Sequence, residues 1–182
     1  IKLKEEGKIA RLTNKTFNFD PRLKDGFFAA NYFLKCNYIV SNFHPNHIVT
    51  MQWFQRTDDA MLCGVDEAIA LIHTFAKNPQ DLKIEALNDG DLISANEPVL
   101  KVTGRYEDFG YLESMIDGIL ARRSSVATNV YRTVRELKGK DISESDTYYL
   151  SACTKGATAA TSFVDQPFSS VKAKRRAFSL KP

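Results

Sequence analysis

Residues 83–129 read KIEALNDGDLISANEPVLKVTGRYEDFGYLESMIDGILARRSSVATN. Lys83 to Leu87 reads as a strand. Asn88-Asp89-Gly90-Asp91 supplies residues that tolerate the left-handed backbone of a tight turn. A second strand is expected over Val99 to Thr103, ended by Gly104. After Tyr106, Phe109, Leu112, Ile116, Ile119 and Leu120 recur on one helical face, with Glu107 and Asp108 early. Arg122 and Arg123 fall in the last turn, where the helix dipole favours cations. Ser124 or Ser125 then caps a further helix, Val126 to Leu137, which stops at Gly139. A small β unit thus hands the chain to a helix, and the helix delivers two arginines and a hydroxyl-rich turn.

Working outward toward the N-terminus, Val65 to Phe75 carries Ala68, Ile69, Leu71, Ile72 and Phe75 on one side. A helix is expected there, with Asp66 at its positive end and Asn78-Pro79 closing it. Met61-Leu62-Cys63 reads as a short strand ended by Gly64. Ile48 to Gln55 is β-rich and mostly apolar, so a buried strand is expected. Phe28, Tyr32, Phe33, Cys36 and Ile39 predict a helix over Asp25 to Val40 with Asp25 as N-cap, and a loop comes next over Ser41 to Asn46. Phe19-Asp20-Pro21-Arg22 reads as a turn. Ile1 to Asn18 reads as an N-terminal strand or arm.

Toward the C-terminus the composition changes near residue 140. Residues 1–140 are expected to form one domain. Residues 141–182 are rich in Ser, Thr and Ala, show little periodicity and stay unassigned; they end in the basic cluster Lys172-Ala173-Lys174-Arg175-Arg176. That cluster reads first as a solvated tail and only second as a phosphate-backbone or membrane-surface contact. The expected class is α/β (α+β).

The 182 residues suit one domain of ordinary size or one and a half. A net charge of +3 is too small to argue for nucleic acid by itself. No run approaches the ~18 apolar residues of a membrane span. The charged N-terminus lacks the apolar core of a signal peptide, and it has no initiator Met, so a processed, truncated or incompletely represented chain is expected. Cys36, Cys63 and Cys153 are odd in number and widely spaced, which is no disulfide framework and points to a reducing, cytoplasmic setting.

The pair His44 and His47 is broken by Pro45 and lacks a supporting Cys or acid, so it does not read as a metal site. His73 reads as structural. No GxxxxGK[ST], GxGxxG or GxSxG occurs. The Asp89-Gly90 turn resembles the turn that carries the modified lysine of lipoyl and biotinyl domains, but no Lys stands at its tip. Arg122 and Arg123 are the strongest chemical candidates, because guanidinium groups bind carboxylates and phosphates with paired hydrogen bonds. Ser124, Ser125 and Thr128 at the next helix start would complete an anion site. The plainer reading is a solvated helix end. Tyr32 would stack on a flat ligand or, more plainly, belong to an amphipathic helix core.

Three blocks carry a family resemblance: DGFFAANYFLK (25–35), VTMQWFQRTDDAMLCGVDEAIALI (49–72) and ALNDGDLISANEPVLKVTGRYEDFGYLESMIDGILARRSSVATN (86–129). In order, they resemble the N-terminal part of nicotinate phosphoribosyltransferases of the bacterial branch. The resemblance implies an N-terminal α/β domain with a barrel-sandwich-like β unit, followed by a (β/α) barrel. It implies transfer of phosphoribosyl from phosphoribosyl pyrophosphate to nicotinate, giving nicotinate mononucleotide for NAD salvage. It further implies Mg²⁺, coupled ATP hydrolysis, and a homodimer whose active sites form between subunits.

By the same resemblance, Tyr32 falls at the tyrosine of the family's TDxYF-like segment, although Ala29, Ala30 and Asn31 depart from its Thr-Asp part. Glu113 matches an acid of the helix, with Ser114 in place of the usual Thr. Arg122, Arg123, Thr128 and Asn129 fall in the segment leading to the barrel and are the expected substrate-binding residues, with catalytic residues unassigned. A barrel needs roughly 200 residues, and the stretch after Lys140 is shorter and does not match the family's next segments. A chain incomplete for catalysis is therefore expected. The alternative is a truncated, non-catalytic dimerisation or interaction module; nucleic-acid binding is the least favoured reading.

Overall fold

The computed structural model describes residues 11–136. The expected boundary near residue 140, Cys153, the 141–182 stretch and its basic cluster lie outside the described residues. Of the expected N-terminal arm, residues 11–18 are described, and they form a turn at 14–16 rather than a strand.

The order of elements is α1 (Asn31–Phe43), β1 (Ile48–Trp53), β2 (Ala60–Met61), α2 (Val65–Phe75), β3 (Lys83–Ala86), β4 (Leu92–Ile93), β5 (Leu100–Arg105), α3 (Tyr106–Phe109) and α4 (Glu113–Glu136). Short 3-10 turns occupy Pro21–Asp25, Pro79–Asp81 and Gly110–Leu112. Strand β5 is the centre of an antiparallel sheet ordered β1-β5-β3, and β2 pairs with β4 in a separate two-stranded ribbon. Trp53 stands opposite Leu100, and Lys83 opposite Thr103. This is a mixed α/β (α+β) architecture.

The core lies where α2, α4 and β5 meet. Leu62, Val65, Leu71, Ile72, Leu100, Val102, Phe109, Leu112 and Ile116 are buried there. Each such side chain contributes about 1.5–3 kcal/mol on leaving water. Alternation along β5 puts Leu100 and Val102 inward and Lys101 and Thr103 outward. Helix α2 has the bounds its apolar spacing predicts, Val65–Phe75.

Several expectations are corrected. Among the described residues strand β1 is an edge rather than a buried strand: β5 alone pairs with it there, and Ile48 is 61% exposed. Gly104 lies within β5 and does not end it. A Cβ there would overlap the Leu82 side chain, so the glycine admits Leu82 against the strand. Helix α1 starts at Asn31, because Asp25 ends the preceding 3-10 turn and Gly26, at φ +69°, redirects the chain. It also runs on through Phe43, where the sequence predicts a loop. The turn at Asp20 is as expected, with its carboxylate accepting the Arg22 N–H.

The larger correction concerns the last helices. The helix expected after Tyr106 is interrupted at Gly110, where a Cβ would come within 2.5–2.8 Å of the Tyr106 ring. Beyond it, no break occurs at Ser124–Ser125. Helix α4 is continuous for 24 residues, roughly 36 Å at 1.5 Å per residue. Ser124 does not cap; it is turned toward β2. Its hydroxyl accepts the Cys63 N–H and donates to the Cys63 carbonyl, both at 3.1 Å. Thr128 donates to the Ser124 carbonyl at 2.6 Å and accepts the Met61 N–H at 2.9 Å. These tertiary bonds occupy hydroxyls that would otherwise favour helix ends.

Candidate functional site

Because α4 is unbroken, its residues sort cleanly into two faces. Arg123, Ala127 and Thr128 are buried against the domain. Ala121, Ser125, Asn129 and Arg132 succeed one another at i+4, i+4 and i+3 and form an exposed stripe that adjoins Thr128. Between that stripe and the Trp53–Thr57 segment lies a cleft of about 510 Å³. Ala60, Leu62, Ile93 and Val99 contribute apolar wall, and Gln55, Asp117, Ser124 and Thr128 contribute polar groups.

Arg123 does not face this cleft. It is 8% exposed, and its Nε and Nη2 donate to Glu67 Oε2 at 2.8 and 2.7 Å. Burial pushes the Glu67 carboxyl up, and the adjacent guanidinium pulls it back. The β2–α2 turn packs closely here: a Cβ at Gly64 would lie 2.9 Å from Arg123 Cγ. Arg122 is exposed and lies off the cleft wall. Thr128 and Asn129 both line the cleft, with the Thr128 hydroxyl committed to Ser124 and Met61.

Tyr32 stands apart on α1, 59% exposed, with its ring 3.9 Å from that of Phe33. Its hydroxyl is pushed up by partial loss of water and by the nearby Glu113, Asp117 and Cys36. Tyr106 joins this cluster and is pushed up to about 12, first by burial and then by Cys36 and Glu113. Burial and Asp117 raise the Glu113 carboxyl. Burial also raises Asp117, while a hydrogen bond from Trp53 opposes the shift. Asp117 lines the cleft as well, so it and Trp53 join the Tyr32 cluster to the α4 cleft. The five residues expected to bind substrate are thus divided: Thr128 and Asn129 meet at the cleft, Tyr32 is its neighbour through Asp117, and Arg122 and Arg123 are elsewhere.

Sequence reasoning missed Trp53, Gln55, Asp117 and Arg132 as wall residues. The signal was the 117–121–125–129–132 spacing, hidden by an assumed helix break at Ser124–Ser125. Asp89, in the turn that resembles a carrier tip, instead caps α2: its carboxylate accepts the N–H groups of Val65 at 2.8 Å and Asp66 at 3.4 Å. His44 closes α1 through its backbone N–H, and the His47 carbonyl accepts from Tyr106. Among the described residues no group of three His, Cys, Asp or Glu side chains is placed to hold a metal.

Residues 31–124 match the family described as quinolinate phosphoribosyl transferase, N-terminal domain. Similar solved structures include nicotinate-nucleotide pyrophosphorylase from Pyrococcus furiosus, with a TM-score of 0.56 and 24% identity over 68% of this chain and 31% of that one. Human nicotinic acid phosphoribosyltransferase has a TM-score of 0.53 and 17% identity, over 63% of this chain and 29% of that one. NadC from Streptococcus pyogenes has 0.52 and 16%, over 65% and 40%. The chain therefore spans well under half of each, and at these identities the likeness is one of fold. A 48-residue stretch is 54% identical to the type II restriction enzyme Sau3AI of Staphylococcus aureus; it is 26% of this chain and 10% of that enzyme.

Proposed function

Because the chain belongs to the quinolinate phosphoribosyl transferase N-terminal-domain family, we propose that it serves phosphoribosyl transfer to a pyridine carboxylate in NAD biosynthesis, with nicotinate as the acceptor. The observation that carries this reading is the match over residues 31–124, which opens where α1 begins and ends on the inward Ser124. The choice of nicotinate rests on the three sequence blocks at 25–35, 49–72 and 86–129.

The chemistry joins the pyridine nitrogen to the anomeric carbon of phosphoribosyl pyrophosphate and expels pyrophosphate through an oxocarbenium-like centre. Its rate depends on holding the ring in line and on neutralising the leaving group. In this reading Tyr32 presents its exposed face to the ring, and Arg122 and Asn129 meet substrate oxygens. Arg123 and Thr128 act by fixing α4 against α2 and β2. Mg²⁺ and ATP belong to the same reading, and no step here is assigned to either. A homodimer with shared active sites and a cytoplasmic setting belong to the same reading. No helix among the described residues is long and apolar enough to cross a membrane.

The test compares acceptors: pyrophosphate release by the full-length protein with phosphoribosyl pyrophosphate and nicotinate, nicotinamide or quinolinate. Nicotinate is expected to have a kcat/KM at least about tenfold above the others, roughly 1.4 kcal/mol of discrimination. A preference for quinolinate would replace the reading with the substrate named in the family description.

A non-catalytic dimerisation module is favoured by one observation. Tyr38, Ile39 and Phe43 on α1 and Ile48 on β1 are exposed apolar side chains. That reading predicts a folded, self-associating protein without turnover at any phosphoribosyl pyrophosphate concentration. Nucleic-acid binding through the basic cluster near the end of the sequence is the least favoured reading. It predicts duplex binding that weakens steeply with salt and is lost on deleting residues 172–182; a flat salt response removes it.

A further inference from the structure

We propose that residues 11–19 are a releasable strap, closed across α2 by the seating of Arg11 in a slot that recognises a guanidinium group. The slot presents three acceptors. Arg11 Nη1 donates to Asp66 Oδ1 at 2.8 Å, and Nη2 donates to the carbonyls of Ala86 at 3.0 Å and Leu87 at 2.7 Å. The Leu12 N–H donates to the second Asp66 oxygen at 2.9 Å. A planar guanidinium reaches a carboxylate and two carbonyls at once, which the compact charge of an ammonium does less well. The slot stays open to water on one side, because the Arg11 side chain is 35% exposed against 12% for Asp66.

Rings fasten the other end. Phe17 is buried and stacks on Phe19 with centroids 6.0 Å apart, and Phe19 meets Phe75 edge-on at 5.8 Å. Asp66 stands in the first turn of α2 and Phe75 is its last residue, so the two fastenings lie roughly 14 Å apart along the helix. Between them Thr13–Thr16 is exposed and forms one turn of its own, with the Thr16 N–H donating to the Thr13 carbonyl at 2.8 Å.

The helix beneath is built differently. Val65, Ala68, Leu71 and Ile72 are all buried in the main core. The strap has neither helix nor strand, and Phe17 is its one buried side chain. Segments with few buried apolar contacts open at lower free energy than the core they cover, so the strap lifts while α2 stays folded. Opening bares Asp66, whose neighbour Glu67 binds Arg123. The strap thus closes on the same turn of α2 that anchors the cleft-lining helix α4. This device does not depend on the phosphoribosyltransfer reading.

Hydrogen exchange of single amides in the full-length protein tests it. In the parent, the Leu12 amide is expected to exchange at least about a hundredfold faster than those of Leu71 and Ile72, with a smaller dependence on denaturant. Arg11→Ala should speed Leu12 by a further tenfold or so and change Leu71 and Ile72 by less than about threefold. Millimolar ethylguanidinium should restore the protection of Leu12 in Arg11→Ala, and ethylammonium should not. Exchange of Leu12 together with Leu71 and Ile72 in the parent, a measurement that needs no variant, would show one cooperative unit and overturn the strap. A Leu12 amide indifferent to Arg11→Ala, or rescued equally by ethylammonium, would overturn the guanidinium slot.

Discussion

Arg123 and Glu67 face each other inside the protein, with Nη2 2.7 Å from Oε2 and both side chains less than a tenth exposed. The pair joins α4 to the first turn of α2 across 56 residues of sequence. Removing one partner strands a buried charge. Arg123→Ala is expected to cost about 3–5 kcal/mol in urea unfolding, whereas the double change Arg123→Met with Glu67→Leu costs much less. A loss below about 1 kcal/mol for Arg123→Ala would show that the pair does not hold the two helices together.

Asp89 caps α2 from outside the helix. Asp89→Ala removes the acceptor for two N–H groups and is expected to cost about 0.5–2 kcal/mol. Asp89→Asn keeps an oxygen at the same place. Burial already pushes the Asp89 carboxyl up, so losing the charge matters less than losing the oxygen. Denaturant midpoints should therefore order parent, Asn, Ala. Equal losses for Asn and Ala would contradict a cap based on the oxygen.

Gly64 has φ +99°, and a Cβ would meet Arg123 at 2.9 Å and Ile119 at 3.1 Å. Gly64→Ala combines left-handed strain, about 1–3 kcal/mol, with pressure on the buried ion pair. Thermal melting is expected to fall clearly. By contrast, Gly90 also has positive φ, but a Cβ added there would have no atom within 4 Å, so Gly90→Ala meets backbone strain alone and should cost less. The reverse order would argue against the close β2–α2 turn.

Glu113 is held above its ordinary value by burial and by Asp117. The folded protein therefore keeps this proton to higher pH than the unfolded chain does. Its contribution is fully present below the ordinary carboxylate value of 4.5 and is lost as pH rises through the raised folded value. Glu113→Gln should gain stability relative to the parent between about pH 4 and 7. A stability difference that stays flat across that range would remove the assignment.

How much of this was legible beforehand depends on where each decision is made. Helix α2 was readable because its apolar spacing is local, and the Asn88–Asp91 turn because its residues are turn-formers. The course of α4 was not. Ser124 and Ser125 look like caps in isolation, but the backbone of Cys63, 61 residues earlier, binds the Ser124 hydroxyl and leaves the helix unbroken. That continuity brings Arg132 to the cleft and turns Arg123 inward. The edge position of β1 was hidden for a similar reason, since strand order is set by pairing with β5 and not by the apolar content of Ile48–Trp53. Thr128 and Asn129 line the cleft, and their contact with substrate belongs to the proposal.

Nicotinate-dependent pyrophosphate release from the full-length protein, run on the parent and on Tyr32→Ala side by side, is the most direct test of the proposed activity. Tyr32 is exposed, so its removal should change stability by less than about 0.5 kcal/mol while lowering kcat/KM by about tenfold or more. Turnover that is indifferent to Tyr32, or no phosphoribosyl pyrophosphate-dependent turnover with any pyridine carboxylate, would contradict it.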